Sequence, residues 1–260
     1  MILRYVGMIM LLMSAASPKH EWKNIGKVKA LVIDFNIENP KDFGSYPKGL
    51  TIKVKVCGNR LVVKADDQIS SLIVVDSKDR MNDSIATINY KDKSFSQMTK
   101  REMNGALEIA KIFLQESLKD KDIGDLKIDF ETKDLKEQEK MAGYTFKKYS
   151  FGEKGKKGVE IFASKELEKL VKEYFNCELT SLFEDINWSI LPQMEEVASF
   201  LTDLLSEMTK HGFIGKVVND GRTLVCITKC EVVEVDAFEF DIPLKFTKKL
   251  PKDLMSGLHK

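Results

Sequence analysis

The residues able to do acid–base or nucleophilic chemistry are few and scattered. The chain has three histidines, His20, His211 and His259. A Ser-His-Asp or Cys-His enzyme needs a histidine held within hydrogen-bond reach of its nucleophile. Only His211, between a predicted helix and Gly212, stands where surrounding structure could hold it, and there its simpler role is a cation at the negative end of a helix dipole. No set of nucleophile, base and orienting group can be named, so no catalytic residue is assigned and the chain is read as a non-enzyme.

The four cysteines are Cys57, Cys177, Cys226 and Cys230. An even count permits disulfides in an oxidising compartment. Cys226 and Cys230 fall on one face of a predicted strand, about 13 Å apart at ~3.3 Å per residue, well beyond the ~7 Å that a bridge tolerates. Buried free thiols are the simplest reading. Cys-x-x-x-Cys without partner histidines is a poor zinc pattern. Asp120, Asp122 and Glu131 fall at ligand positions of a twelve-residue calcium loop. Gly124 and Asp125 are interchanged there, however, and Glu131 lies in a predicted strand. Gly152 to Gly158 lacks the Gly-Lys-Ser/Thr ending of a phosphate loop and joins two strands, so it reads as a solvated turn. No metal and no cofactor is expected.

Forty-one basic residues against forty acidic ones leave a formal charge of +1. No net field draws such a chain to nucleic acid or to an anionic membrane. With 260 residues, 43% of them hydrophobic, it has ample apolar material for a core. Residues 1–16 have the form of a secretory signal: Arg4, then the apolar run from Val6 to Met13, then Ser14, Ala15 and Ala16 as small residues before a cleavage point. The apolar run falls short of the ~20 residues that span a bilayer. The expectation is a soluble periplasmic or secreted protein, cut near Ala16-Ser17, with residues 17–260 forming one domain and no transmembrane segment.

The elements that would position any site follow in order. Lys27 to Ile37 alternates as a strand, with Leu31, Ile33, Phe35 and Ile37 on one face. Leu50 to Val56 and Leu61 to Ala65 form a hairpin about Gly58-Asn59. Ser71 to Val75 and Ser84 to Tyr90 continue the meander, and the chain turns, restarts as a strand and passes into a helix at Thr99. Thr99-Lys100-Arg101-Glu102 has capping-box spacing. The apolar stripe of Met103, Leu107, Ala110 and Leu114 carries that helix to about Leu118. A strand at Leu126 to Phe130, a hairpin of Tyr144 to Phe151 with Val159 to Ala163, and a helix capped by Ser164 come next. Residues 176–260 read as a helix-plus-hairpin extension: a helix from about Gln193 to Lys210, a hairpin about Asn219-Asp220-Gly221, and a tail from Phe238.

Several phrases carry a family resemblance. They are Ile73-Val-Val-Asp76, the run from Asn89 to Met98, Met141-Ala-Gly-Tyr144, Lys147-Lys148-Tyr149 and Val159-Glu-Ile-Phe-Ala-Ser164. Over roughly residues 25–175 the chain resembles a bacterial envelope family of unknown function that looks like the lipoprotein-localisation-factor (LolA/LolB-like) half-barrels. The resemblance implies an α+β fold, a curved antiparallel sheet wrapped around α-helices, with an apolar concavity. It supplies no catalytic residues, and no cysteine follows the signal to carry a lipid. Ile52, Val54, Leu61, Val63 and Phe130 are the candidates to line the concavity, although a packed core selects the same residues. The expected function is to bind or carry an apolar ligand, a lipid or a lipoprotein acyl chain. The alternative is a non-enzymatic structural or protein-interaction module of the envelope with a filled core.

Overall fold

A computed structural model describes residues 26–38, 50–64, 69–75, 78–105, 130–155, 158–175, 206 and 210–249. Twelve strands form one sheet in the order β12-β6-β5-β4-β3-β2-β1-β11-β10-β9-β8-β7. The first six are β1 (Lys27–Ile37), β2 (Leu50–Cys57), β3 (Arg60–Lys64), β4 (Ile69–Val74), β5 (Ser84–Asn89) and β6 (Ser94–Thr99). The second six are β7 (Phe130–Met141), β8 (Tyr144–Glu153), β9 (Val159–Ser164), β10 (Phe213–Asn219), β11 (Arg222–Asp236) and β12 (Thr247–Lys248). Among the described residues helix α1 covers 100–105 and α2 Lys165–Tyr174, and Ser206 is also helical.

This architecture corrects the expected one. Among the described residues the fold is a large, open, mixed sheet with little helix, and not the expected LolA-like α+β half-barrel. One pairing makes it mixed: β12 runs parallel to β6, and every other neighbouring pair is antiparallel. The physical reason lies in the second half of the chain. Stretches without apolar alternation, above all 131–141, pair as strands and extend the sheet beyond the length that hydrophobic patterning reveals.

Two meanders meet at the centre. Strands β2 to β6 step away from β1 on one side. On the other, β7 begins at the far edge and β8 to β11 step back until β11 pairs with β1, from Lys27↔Asp236 to Ile37↔Val225. The register slips between Asp34 and Phe35, where Thr228 is the extra residue and its hydroxyl donates to the Asp34 carbonyl at 3.2 Å. Bulges of this kind increase local twist and bend. The C-terminal half does curl: Met141 of β7 brings its Sδ within 3.8 Å of Cys226 Sγ on β11, although three strands lie between them in the sheet. At about 4.8 Å per strand a flat sheet would hold those backbones roughly 19 Å apart.

Turn chemistry explains the hairpins. Gly58 sits at φ 60° between β2 and β3, and Asp220 and Gly221 lie at φ 49° and 74° between β10 and β11. Two left-handed residues in a two-residue loop match the twist of the flanking strands. At the handover from sheet to helix, the capping box forms as its spacing predicts. Glu102 N–H donates to Thr99 Oγ1 at 3.1 Å, and Thr99 N–H donates back to the Glu102 carboxylate at 2.9 Å. The same junction holds a buried ion pair, Lys100 with Asp83 at 3.1 Å, which Arg80 Nε joins at 2.8 Å. The helix predicted beyond residue 105, the strand at 126–129 and most of the helix at 193–210 lie outside the described residues.

Candidate functional site

The face of the sheet expected to line a concavity can be followed strand by strand. Directly opposed residues share a face, so Phe35↔Ile52, Ile33↔Val54 and Leu31↔Val56 continue through Val54↔Val63 and Val56↔Leu61 to Leu61↔Ile73. Ile52, Val54, Leu61 and Val63 therefore stand together on adjacent strands. Their face belongs to the largest apolar cluster, with Leu31, Ile33, Val56 and Leu61 from one half of the sheet and Phe146, Phe162 and Ile227 from the other. Val54 and Val63 are half-buried against it. Phe130 opens the edge strand β7, and Met141, at the other end of that strand, enters this cluster.

Helix α2 packs against that face. Ser164 caps it, its hydroxyl accepting from Leu167 N–H at 3.3 Å, and Phe175 closes its last turn with a 2.8 Å bond to the Val171 carbonyl. Leu167 is 0% exposed and Phe175 2%, both inside the same cluster, with Leu170, Val171 and Tyr174 packed around them. A parallel bridge from Phe175 to Gly58 ties the end of the helix to the β2–β3 turn.

Polar side chains rim the far side. Lys216 pairs with Glu139 at 2.8 Å, and Lys148 with Glu137 and Glu160 at 3.1 and 3.3 Å. Both ammonium groups lie over the Phe162 ring, at 4.8 and 5.8 Å from its centroid. The Glu137 hydrogen bond, and after it that of Glu160, raises the pKa of Lys148. Sequence reasoning missed this group. Lysine alternating with an apolar residue is the ordinary mark of a solvated strand face, and only pairing across β7 to β10 brings the charges together.

The remaining candidates have structural employment. His211 stacks on Tyr149, ring centroids 4.3 Å apart and 21° between planes. His20, His259, Cys177, Asp120 and Asp122 lie outside the described residues. Cys57, Cys226 and Cys230 are free, half-buried thiols. Burial pushes the Cys230 thiol up, and a hydrogen bond from Tyr144 opposes it. Glu131 contacts Lys133 at 2.6 Å and accepts from Gly155 N–H at 3.3 Å. Gly152 and Gly158 let the hairpin strands approach closely: a Cβ on Gly158 would meet the Phe151 carbonyl oxygen at 2.2 Å. Among the described residues no three His, Cys, Asp or Glu side chains converge as a metal site. Nor, among those residues, is any helix long and apolar enough to cross a membrane.

No family model and no curated protein matches the chain. Among solved structures it is similar to two of PNGF-II, one in space group C2 and one in P21. They are 13% and 11% identical, with TM-scores of 0.38 and 0.36. The matches cover 90% and 91% of this chain but 33% and 34% of those chains, so it spans about a third of their length. At that level of likeness neither fold nor activity transfers.

Proposed function

We propose that this chain is a non-catalytic structural or protein-interaction module of the bacterial envelope, exported through its N-terminal signal, whose sheet interior is filled. The observation that supports this reading is the seating of Leu167 and Phe175 over the strands that carry Val54, Leu61 and Val63. Burying a Leu or Phe side chain contributes about 1.5–3 kcal/mol, so a helix placed there stabilises the sheet by occupying the volume an acyl chain would need. Lipid carriage is the competing reading, resting on the family resemblance and on the apolar character of the same face. A titration of the mature protein with an apolar fluorescent probe separates the two. The filled module gives no saturable binding, and saturable binding that a natural lipid displaces would replace it with the carrier. Intact-mass analysis of the exported protein checks the address, with a first residue near Ser17 expected.

A further inference from the structure

After β11 the chain leaves the centre of the sheet and crosses the face opposite α2 to reach the far edge. Residues 237–240 form a 3₁₀ turn, residues 241–246 run on irregularly, and β12 ends the path beside β6. Three separate moorings hold this segment. At its start Ala237 N–H donates to the Gly26 carbonyl at 3.0 Å. At its middle Phe240, 0% exposed, sits on a floor of Ala30, Val62, Leu72, Ala86 and Ile88. The buried Arg60 donates there to the Phe240 carbonyl at 2.6 Å and lies 3.5 Å from Asp241, while Lys55 pairs with Glu239. At its end Thr247 and Lys249 donate to the carbonyls of Lys93 and Phe95 at 2.9 and 2.8 Å, and Phe246 meets Tyr90 edge-on at 5.7 Å.

The moorings differ in kind from the bonds that hold the sheet. Strand β12 is two residues long and exposed, and Leu244, between the moorings, is 93% exposed. The floor strands beneath, by contrast, are each bonded to neighbours on both sides. Segments with few buried contacts and exposed backbone bonds open at lower free energy than the body they cover.

We propose that residues 237–249 form a releasable strap: a unit that detaches as one piece about Asp236–Ala237 while the sheet stays folded, baring the apolar floor and the outer edge of β6 together. Arg60 is its latch. It stays with the floor, being part of β3, while Phe240 and Asp241, which it holds, leave with the strap. Phe240 is the plug, and without it the remaining moorings are short backbone contacts, ion pairs and the partly buried Ile242 and Phe246 at the margin of the floor.

Hydrogen–deuterium exchange by mass spectrometry on the full chain, at neutral pH and without denaturant, is the test. Strap peptides over 237–249 are expected to exchange at least roughly tenfold faster than peptides of β1, β4 and β10. Phe240→Ala is expected to speed the strap about tenfold again while leaving those three strands unchanged, and Asp241→Asn to act the same way more weakly. Strap and sheet exchanging at one common rate in the unaltered protein would overturn the proposal, even if Phe240→Ala failed to fold. So would a Phe240→Ala protein that loses protection in β1, β4 and β10 as much as in the strap.

Discussion

In the β2–β3 hairpin, alternate side chains (Val54, Val56, Leu61, Val63) enter the cluster beneath α2, and the other face carries Cys57, Val62 and Arg60 beneath the 237–249 segment. In the β7–β8 hairpin, the β7 residues from Lys133 to Gln138 are exposed, and cross-strand backbone bonding together with Glu137 to Lys148 holds the strand. The first hairpin is a strand pair because its side chains need burial. The second is a strand pair because a neighbour offers backbone partners, and its charges and the bulge between Asp134 and Gln138, with Lys136 at φ 61°, make it a poor template for further pairing. In one sheet, interior strands are specified by their side chains and the edge by its neighbour.

That contrast sets a scale of effects. Phe146 is fully buried where the two halves of the sheet share a core. Phe146→Ala should therefore cost about 3–5 kcal/mol in chemical denaturation, and a loss below ~1 kcal/mol would mean that the two halves do not share that core. At the sheet-to-helix junction Asp83→Ala leaves the Lys100 ammonium, 3% exposed, without this carboxylate. A penalty of about 3–5 kcal/mol is expected for breaking a buried pair from one side, and recovery in a Lys100→Met/Asp83→Leu double variant would confirm its origin. Thr99→Ala removes half of the capping box and should cost about 1 kcal/mol. On β7, Glu137→Gln breaks a pair whose acidic partner is 64% exposed, and a change of at most about 1 kcal/mol is expected.

Acid should act on the edge in a defined direction. The hydrogen bond from the Lys136 ammonium, aided by the Lys136 backbone N–H, holds the Asp134 carboxyl below its usual range, and Lys133 with the Gly155 N–H does the same for Glu131. A depressed folded pKa contributes stability that is complete above the unfolded value, near 4, and is lost as pH falls through the folded one. Carboxyl chemical shifts followed by NMR should show midpoints for both residues below those of the denatured chain. Equal midpoints would remove these contacts from the solution structure.

The same contrast decides what could be read from residues alone. Strands β1, β2 and β5 announce themselves by alternation and β3 and β4 by short apolar runs, and the turns between β2 and β3 and between β10 and β11 by Gly58, Asp220 and Gly221, which take positive φ. Ser164 and Thr99 were legible as caps because a hydroxyl at that spacing has one good use. Strand β7 was not legible, since Lys-Asp-Leu-Lys-Glu-Gln-Glu-Lys has no apolar period to betray it. The tail from Phe238 hid the buried Phe240 and β12 because their partners, Arg60 and β6, lie far away in sequence. The apolar set Ile52, Val54, Leu61 and Val63 was visible, but what stands over it was not, because alternation marks a buried face and is silent about whether a helix or a ligand buries it.

The claim that the sheet interior is filled is most directly tested at Leu61, 6% exposed and opposed to Val56 and Ile73 beneath α2. Leu61→Trp adds bulk where a packed core has no room for it, and thermal and denaturant melts should show a loss of about 1–3 kcal/mol. A Leu61→Trp protein that melts with the parent would mean that the volume over this face is empty, and the filled-module reading would give way to a cavity.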